Sequence, residues 1–313
     1  MCAMSYYDRN YRSRLSFGQR SNALIILIAI NLVIFVILAF VKAIYFMRYE
    51  NNTEAANHFY DSALTWFVLP ADLHQLASKP WTIITHMFTH ESVWHVLGNM
   101  MWLWVFGYIL QDLTGNRKIF PVFLYSALGG AIAYLLAINF LPALQEYVPV
   151  GVALEASAGV TGIAIAATTI APGYRIFPML NGGIPIWIIT VFYLIIDLAT
   201  IPDSNPGGHI AHLAGGLTGF LFIYSFRKGR DWGSWMNNAY DWVNDLFNPD
   251  KPKKGKNIRQ ELFYKSSSKP FNKTPNLTEK RIDEILDKIN EDGYDSLSEE
   301  EKELLKKASK EDF

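Results

Sequence analysis

Six apolar segments, separated by polar connections, follow one another between residues 22 and 226. A helix needs about 20 predominantly apolar residues to cross the hydrocarbon core of a bilayer. Most of the segments meet that length, so the pattern predicts an all-α, polytopic membrane protein with a bundle of six transmembrane helices. The predicted spans are residues 22–46, 93–113, 119–141, 157–171, 184–201 and 210–226.

The composition indicates a membrane domain followed by a small cytosolic helical tail. Of the 313 residues, 50% are hydrophobic and 18% are charged, and the formal net charge of −1 gives no reason to expect nucleic acid as a partner. Charges are few in the apolar region and frequent near the C-terminus. The predicted parts are a cytosolic N-terminal segment (1–21), a six-span membrane domain (22–228), a juxtamembrane helix with a linker (229–276) and a cytosolic helical hairpin (277–313).

The C-terminal hairpin is predicted from amphipathic spacing and from residues that favour helix ends. Thr278 can cap a first helix, and Gly293 suits its C-terminal stop. Ser298 and Glu301 match a capping box at the start of a second helix. Because so small a unit is marginally stable alone, we expect it to dock on the membrane domain or on a partner of unknown identity.

Basic residues between the apolar segments predict the orientation of the chain. Loops rich in Lys and Arg stay on the cytoplasmic side of a membrane. An inside N-terminus puts Arg12, Arg117, Arg175 and Arg227 on that side. The first segment follows an arginine-rich start without a small-residue cleavage site, so we interpret it as a retained span. We expect an integral multi-pass protein of a bacterial inner membrane with cytoplasmic N- and C-termini.

The fourth segment is shorter than the others and begins with a polar residue. A helix over residues 157–171 rises by about 22 Å, which is less than the roughly 30 Å of a hydrocarbon core. The backbone that leads into it must therefore be buried in protein or line a wet cavity. We expect Ser157 to lie at the floor of a sunken, water-filled pit.

Polar side chains of three predicted spans are expected at the same depth as Ser157. His95 and Asn99 are four residues apart on one face of the second span, and His212 lies near the start of the sixth. Spans two, four and six all run from outside to inside in the predicted orientation. Each residue alone is explained by helix capping or backbone hydrogen bonding, but together they supply a nucleophile, a base and an amide donor.

Small residues predict which of these helices touch. Gly215 and Gly219 follow His212 on its own helical face, and Gly159 and Gly162 follow Ser157. Glycines allow two helix backbones to approach closely in a membrane. A hydrogen bond between the short side chains of Ser157 and His212 requires such an approach.

These motifs resemble those of the rhomboid family of intramembrane serine proteases. The similar stretches are "KPWTIITHMFTH" before the second span, "HVLGN" from His95 to Asn99, "ASAG" around Ser157 and "HLAGGLTG" from His212 to Gly219. Each motif is weak alone, but their order and spacing on six spans are specific. The resemblance covers residues 20–228 and implies a six-transmembrane-helix rhomboid-like bundle.

The resemblance implies a Ser–His dyad with no third acid. Ser157 would be the nucleophile, His212 the general base, and His95, Asn99 and the backbone N–H of Ser157 the oxyanion donors. The reaction would be hydrolysis of a peptide bond in or near a transmembrane segment of a single-span client protein. No cofactor or metal is expected; the partners would be such clients and membrane lipid, with no nucleic acid and an unknown partner for the tail.

Two features leave alternatives open. The family motif G-x-S-G is replaced by Glu155–Ala156–Ser157–Ala158, and Glu155 either belongs to the loop above the pit or weakens or abolishes catalysis. The alternative function is a catalytically weak or inactive rhomboid-like protein that binds client transmembrane helices. Asp197, near the outer end of the fifth span, is expected to bond a neighbouring helix or loop, or to contact water in the active site.

Two other classes of protein have little support. A zinc protease would be expected to carry an HExxH motif or a Cys/His cluster, and the sequence has neither. A transporter would be expected to have repeat symmetry between its halves and charged or polar pairs at mid-membrane, and we find no convincing repeat or central charge.

Overall fold

The computed structural model describes residues 22–154, 156–177, 179, 182–202, 205–246 and 279–308. The chain forms two compact units, Met1–Phe247 and Asn248–Phe313. The boundary between them falls inside the predicted 229–276 segment. The predicted N-terminal segment, Glu155 and residues 247–278 lie outside the described residues.

Six apolar helices of the first unit coincide with the six predicted segments. They are α1 (Ala23–Arg48), α5 (Val93–Thr114), α6 (Ile119–Phe140), α7 (Ser157–Ile170), α8 (Ile186–Ala199) and α9 (Pro206–Arg227). Helix α9 begins four residues before the predicted start, because the side chain of Asn205 accepts a hydrogen bond from the Gly208 N–H and Pro206 suits a first turn. By length and composition, α1, α5, α9 and the segment containing α6 can cross a membrane, whereas α7 and α8 are shorter apolar helices of 14 residues each.

The long connection between α1 and α5 is folded. It contains three short helices: α2 (Asn52–Ser62), α3 (Leu73–Ser78) and α4 (Thr82–Thr85). Strand β1 (Leu69–Pro70) pairs antiparallel with β2 (Val152–Ala153), which leads into α7. A second antiparallel pair, β3 (Arg175–Ile176) and β4 (Ile184–Pro185), lies between α7 and α8. The first pair joins the connection between α1 and α5 to the segment that leads into the N-terminus of α7.

Helix α7 is the buried centre of the bundle and packs against α5, α6 and α9. Its contact with α9 is backbone to backbone: a Cβ atom at Gly215 would overlap the carbonyl group of Ala158, and one at Gly219 would overlap that of Gly162. Gly159 instead faces α6, where a Cβ atom would lie 2.7 Å from the ring of Phe123. Since any larger side chain at Gly215 or Gly219 would force the two backbones apart, these glycines determine the spacing of α7 and α9.

The juxtamembrane helix α10 (Ser234–Leu246) belongs to the first unit. Arg117, in the connection between α5 and α6, donates to both carboxylate oxygens of Asp241 at 2.9 and 3.1 Å. The indole N–H of Trp235 donates to the hydroxyl of Tyr125 on α6 at 2.8 Å. Helix α10 is therefore held against the base of the helical bundle, although the sequence grouped it with the linker.

In the second unit, α11 (Glu279–Asp292) and α12 (Glu299–Ala308) form the two helices of the predicted hairpin. The capping box is confirmed, because Ser298 N–H donates to Glu301 Oε2 at 2.8 Å and Glu301 N–H donates to Ser298 Oγ at 3.3 Å. Gly293 ends the first helix with φ +84°, a conformation that favours glycine. The predicted cap Thr278 lies outside the described residues.

The packing of the helices predicts different effects for alanine substitutions at two glycines, one inside the contact between α7 and α9 and one outside it. Gly215→Ala is expected to lower the free energy of unfolding by about 1–3 kcal/mol, because the new methyl group meets backbone that has no room to move. The matched variant Gly98→Ala, on α5, has no atom within 4 Å of the new Cβ and is expected to be as stable as the wild type or slightly more stable. Unfolding curves of both variants in detergent micelles measure this difference; equal stabilities would contradict the proposed packing.

Candidate active site

The first residue of α7 lies in a polar cavity that is open to the outside of the bundle. The cavity has a volume of about 790 Å³, and its lining includes Ser157, His95, His209 and His212. The paired strands β1 and β2 support the segment immediately before α7. The short α7 helix therefore begins at a cavity with polar side chains in its lining, which agrees with the depression that its length predicts.

Ser157 and His212 face each other across the contact between α7 and α9. The distance from Ser157 Oγ to His212 Nε2 is 2.7 Å, which is a hydrogen bond. Gly215, one turn after His212, packs directly against the backbone of Ala158, the residue after Ser157. The glycine contact thus brings a hydroxyl and an imidazole on short side chains within reach of each other.

The other nitrogen of His212 lies beside a carboxylate. His212 Nδ1 is 3.0 Å from Asp197 Oδ1 and 3.2 Å from Oδ2. Asp197 belongs to α8, and its exposed fraction is 4%. It also bonds His209 of α9, whose Nδ1 is 2.6 Å from the same Oδ1 atom.

Two sequence expectations bear on this carboxylate. Asp197 is expected from the sequence to bond a neighbouring helix or loop, or to contact water in the active site. In the structure it bonds a neighbouring helix, α9. The resemblance implies a Ser–His dyad with no third acid, whereas the structure has the Asp197 carboxylate of α8 in contact with His212.

A tyrosine that the sequence did not single out also reaches the site. The hydroxyl of Tyr193, on α8, lies 3.2 Å from Thr161 Oγ1 and 3.5 Å from His212 Nδ1. Its ring packs on that of Trp102, with 5.0 Å between the ring centres. Tyr193 precedes Asp197 by four residues and therefore occupies the same face of α8.

The two predicted oxyanion donors on α5 lie on the other side of Ser157. His95 and Asn99 line a smaller cavity of about 240 Å³ together with Ser157 and His212. The amide nitrogen of Asn99 is 3.2 Å from Nε2 of His90, in the segment before α5. One N–H of the amide can donate to His90 while the other remains available to the cavity.

Two buried histidines support the floor of the site from the segment that precedes α5. Nδ1 of His86 lies 2.9 Å from the carbonyl oxygen of Thr82, so the ring donates at that nitrogen. Burial lowers the pKa of His86 to about 4, and burial likewise lowers the pKa of His90 to about 4. Both rings are therefore neutral at physiological pH.

Asp197, His209 and His212 are the group in the described part of the chain with donor atoms close enough to hold a metal ion. Their ligand atoms all lie within 4.8 Å of one another, and imidazole with carboxylate is a donor set that suits Zn²⁺. The same atoms stand at hydrogen-bonding distances of 2.6 and 3.0 Å. Hydrogen bonds therefore account for the cluster without an ion.

The fold and the site define a helical membrane protein with a serine–histidine pair in a polar cavity. The family model for the rhomboid domain matches residues 77–229, which include both residues of the pair. Residues 77–229 therefore form a rhomboid domain. A second family model, for a family of unknown function named DUF6576, matches residues 268–311 and includes α11 and α12.

Curated relatives of the chain include bacterial and mitochondrial rhomboid proteins. The chain is 36% identical to Rhomboid protease GlpG of Pectobacterium atrosepticum over 69 residues, which are 22% of this chain and 24% of that protein. It is 28% identical to Rhomboid protein 1, mitochondrial, of Saccharomyces cerevisiae over 151 residues, which are 47% and 42% of the two chains. It is 26% identical to RHOMBOID-like protein 12, mitochondrial, of Arabidopsis thaliana over 161 residues, which are 48% and 47%. The chain thus spans less than half the length of these relatives.

The lowered pKa of His86 predicts a pH dependence of stability. Between pH 6.5 and about 4 the unfolded chain binds a proton at His86 and the folded chain does not, so the free energy of unfolding falls as the pH falls through this window. The contribution of His86 is on the order of 3 kcal/mol. We expect His86→Asn, whose amide can still donate to Thr82, to have a shallower pH dependence than the wild type.

Thermal unfolding in detergent between pH 4 and pH 7.5 measures the two slopes. His74→Asn, at an exposed position of α3, is the matched control and is expected to keep the slope of the wild type. Identical slopes for the wild type and His86→Asn would contradict the assignment of this titration to His86.

Proposed function

We propose that the protein is an intramembrane serine endopeptidase that cleaves peptide bonds in or near transmembrane segments of client membrane proteins. The observation that carries the proposal is the 2.7 Å hydrogen bond between Ser157 Oγ and His212 Nε2. It lies in a polar cavity, between helices of a bundle that is apolar outside. The rhomboid domain over residues 77–229 and the similarity to a protein named rhomboid protease support the same activity.

The proposed chemistry follows from the two ring nitrogens of His212 and the hydroxyl of Ser157. A serine hydroxyl is a weak nucleophile until a neighbouring base takes its proton. His212 Nε2 accepts the proton as Ser157 Oγ attacks the carbonyl carbon of the client, and then gives it to the leaving amine. Water from the cavity hydrolyses the acyl-enzyme in the second half of the reaction, with His212 again acting as the base.

Three donors are proposed to stabilise the oxyanion. The backbone N–H of Ser157 belongs to the first turn of α7, where N–H groups have no partner within the helix and the helix dipole favours negative charge. His95 and Asn99 border the same cavity from α5. Each well-placed donor is worth about 3–4 kcal/mol of transition-state stabilisation.

The proposed clients are single-span membrane proteins, and lipid surrounds both partners. A helix in the membrane hides its carbonyl groups in its own hydrogen bonds, so a client segment must unwind before Ser157 reaches a carbonyl carbon. The proposal therefore favours client segments with locally weak helices. The resemblance to rhomboid proteases also implies a small residue at the cleavage site. The six apolar helices support a proposal of six spans, and the distribution of basic residues supports cytoplasmic termini. A location in a bacterial inner membrane stays a prediction.

Ser157→Ala is expected to lower the cleavage rate of a single-span test substrate in liposomes by about 10³-fold or more, because the nucleophile is lost. Ser126→Ala is the matched control. Ser126 is a buried serine of α6, and its hydroxyl has no hydrogen-bond partner in the described part of the chain, so its loss is expected to leave the rate near that of the wild type. Mass mapping of the fragments checks both expectations, and unchanged cleavage by Ser157→Ala would reject the assignment.

Labelling by a fluorophosphonate separates the protease from the alternative of a client-binding protein without activity. A reactive Ser157 is expected to be labelled in the wild type and in Ser126→Ala, and not in Ser157→Ala. Binding of a test substrate without labelling or cleavage would favour the alternative function.

The proposed oxyanion site predicts a kinetic effect at Asn99. Asn99→Ala is expected to lower kcat by about 10²–10³-fold with little change of KM, because the lost donor acts mainly in the transition state. Asn31→Ala is the matched control, since Asn31 is a buried asparagine of α1 that donates to the Leu27 carbonyl at 2.8 Å. That variant is expected to lose stability and to retain kcat. A KM effect alone at Asn99 would argue against transition-state stabilisation by this amide.

A further inference from the structure

We propose that Asp197 is a positioning residue that completes a Ser157–His212–Asp197 triad. Its carboxylate would hold the imidazole of His212 in the tautomer and orientation that accept the proton of Ser157. The inference rests on the proposed function and adds to it a residue that the family resemblance does not supply.

The three groups form one continuous chain of hydrogen bonds. Ser157 Oγ is 2.7 Å from His212 Nε2, and His212 Nδ1 is 3.0 Å from Asp197 Oδ1. An ionised carboxylate only accepts hydrogen bonds, so Nδ1 must carry the proton of the neutral ring. Nε2 then has a free lone pair directed at the hydroxyl, which is the form that a general base requires.

The carboxylate itself is held in place from a second direction. His209 Nδ1 lies 2.6 Å from Asp197 Oδ1, so two imidazole donors from α9 converge on one oxygen atom. The side chain of Asp197 has an exposed fraction of only 5%. A buried carboxylate is costly unless it is paired and hydrogen-bonded, and here both partners stand on the helix that carries the proposed base.

The position of α8 aims Asp197 at His212. Three polar side chains recur on one face of this otherwise apolar helix, at Thr190, Tyr193 and Asp197. Thr190 bonds Thr168 of α7 at 2.7 Å, and Tyr193 bonds Thr161 of α7 at 3.2 Å. These contacts determine the rotation of α8 and so direct the carboxylate at the imidazole.

The chemical consequence appears when the proton moves. The proton passes from Ser157 Oγ to His212 Nε2 and then to the leaving amine, while Asp197 stays ionised throughout. The imidazolium formed on the way has a negative charge 3.0 Å away. In surroundings of low dielectric constant this pairing is stronger than in water and lowers the free energy of the charged intermediate.

Two other roles explain the same cluster and make different predictions. Asp197 could serve only to join α8 to α9 through His209, in which case its loss would lower stability and not the rate per folded molecule. The group could instead hold a metal ion through Asp197, His209 and His212. A metal ion at His212 Nδ1 would leave the proton on Nε2, which could then not accept the proton of Ser157.

The first test is Asp197→Asn, which keeps the shape of the side chain and removes its charge. An amide can donate to Nδ1 and so favours the wrong tautomer of His212. We expect kcat for a test substrate and the rate of fluorophosphonate labelling to fall together by about 10²-fold or more, with KM within about twofold of the wild type. Asp241→Asn is the matched control: it makes the same substitution at a carboxylate of α10 that bonds Arg117, and we expect a rate near that of the wild type.

Two further variants distinguish positioning from a structural role. In a His212→Ala background, Asp197→Asn is expected to have no further effect on labelling, because a positioning residue has nothing left to orient. His209→Gln keeps a donor for the carboxylate and is expected to cost less than about tenfold. Additive losses in the His212→Ala background, or an equal loss in His209→Gln, would overturn the proposal.

Chelation completes the test. Wild-type activity is expected to survive EDTA and to need no added Zn²⁺, whereas loss on chelation and recovery with Zn²⁺ would replace the triad with a metal site.

These experiments distinguish a failure of the proposed triad from a failure of the proposed protease activity. An inactive, unlabelled wild type would reject the protease, and an active wild type with Asp197→Asn at full rate would reject only the triad.

Discussion

The rest of the structure depends on the close backbone contact between α7 and α9. Gly215 and Gly219 bring α9 against the carbonyl groups of Ala158 and Gly162, closer than any other residue type allows. This spacing makes a 2.7 Å hydrogen bond possible between Ser157 and His212, whose side chains are too short to bridge a wider gap. In a membrane, where burial of apolar surface does not drive helices together, such tight packing also contributes much of the association energy. Stability and the geometry of the candidate site therefore share one interface.

Much of this arrangement could be predicted from sequence because its signals are local. The apolar segments have the length of helices, and α1, α5, α6 and α7 begin or end within two residues of their predicted bounds. The meeting of Ser157 and His212 could be predicted because both residues lie near the starts of helices that run in the same direction. Small residues follow both of them and allow the two backbones to approach. The start of α9 was misplaced because Asn205 and Pro206 form a cap that extends a helix beyond its apolar run.

The remaining features depend on how distant elements dock, and local patterns do not determine that. Helix α8 is apolar on most of its surface, so its periodicity does not indicate which face meets α9. Its polar residues Thr190, Tyr193 and Asp197 share one face, and they are the feature of the sequence that marks the buried side of this helix. The pairing of β1 with β2 was unpredictable because two-residue strands about 80 positions apart have no period to detect.

In a membrane, burial of apolar surface does not hold helices together, and this explains why α8 carries a carboxylate that is costly to bury. A short apolar helix of 14 residues gains little from apolar contact with its neighbours when lipid offers equivalent surroundings. Hydrogen bonds from Thr190, Tyr193 and Asp197 give it a defined rotation and depth against α7 and α9. Because the bond from Asp197 ends on His212, the interaction that docks the helix is also the one that orients the imidazole. A displacement of α8 would therefore break the hydrogen bond between Asp197 and His212 while leaving Ser157 and His212 on their own glycine-packed helices.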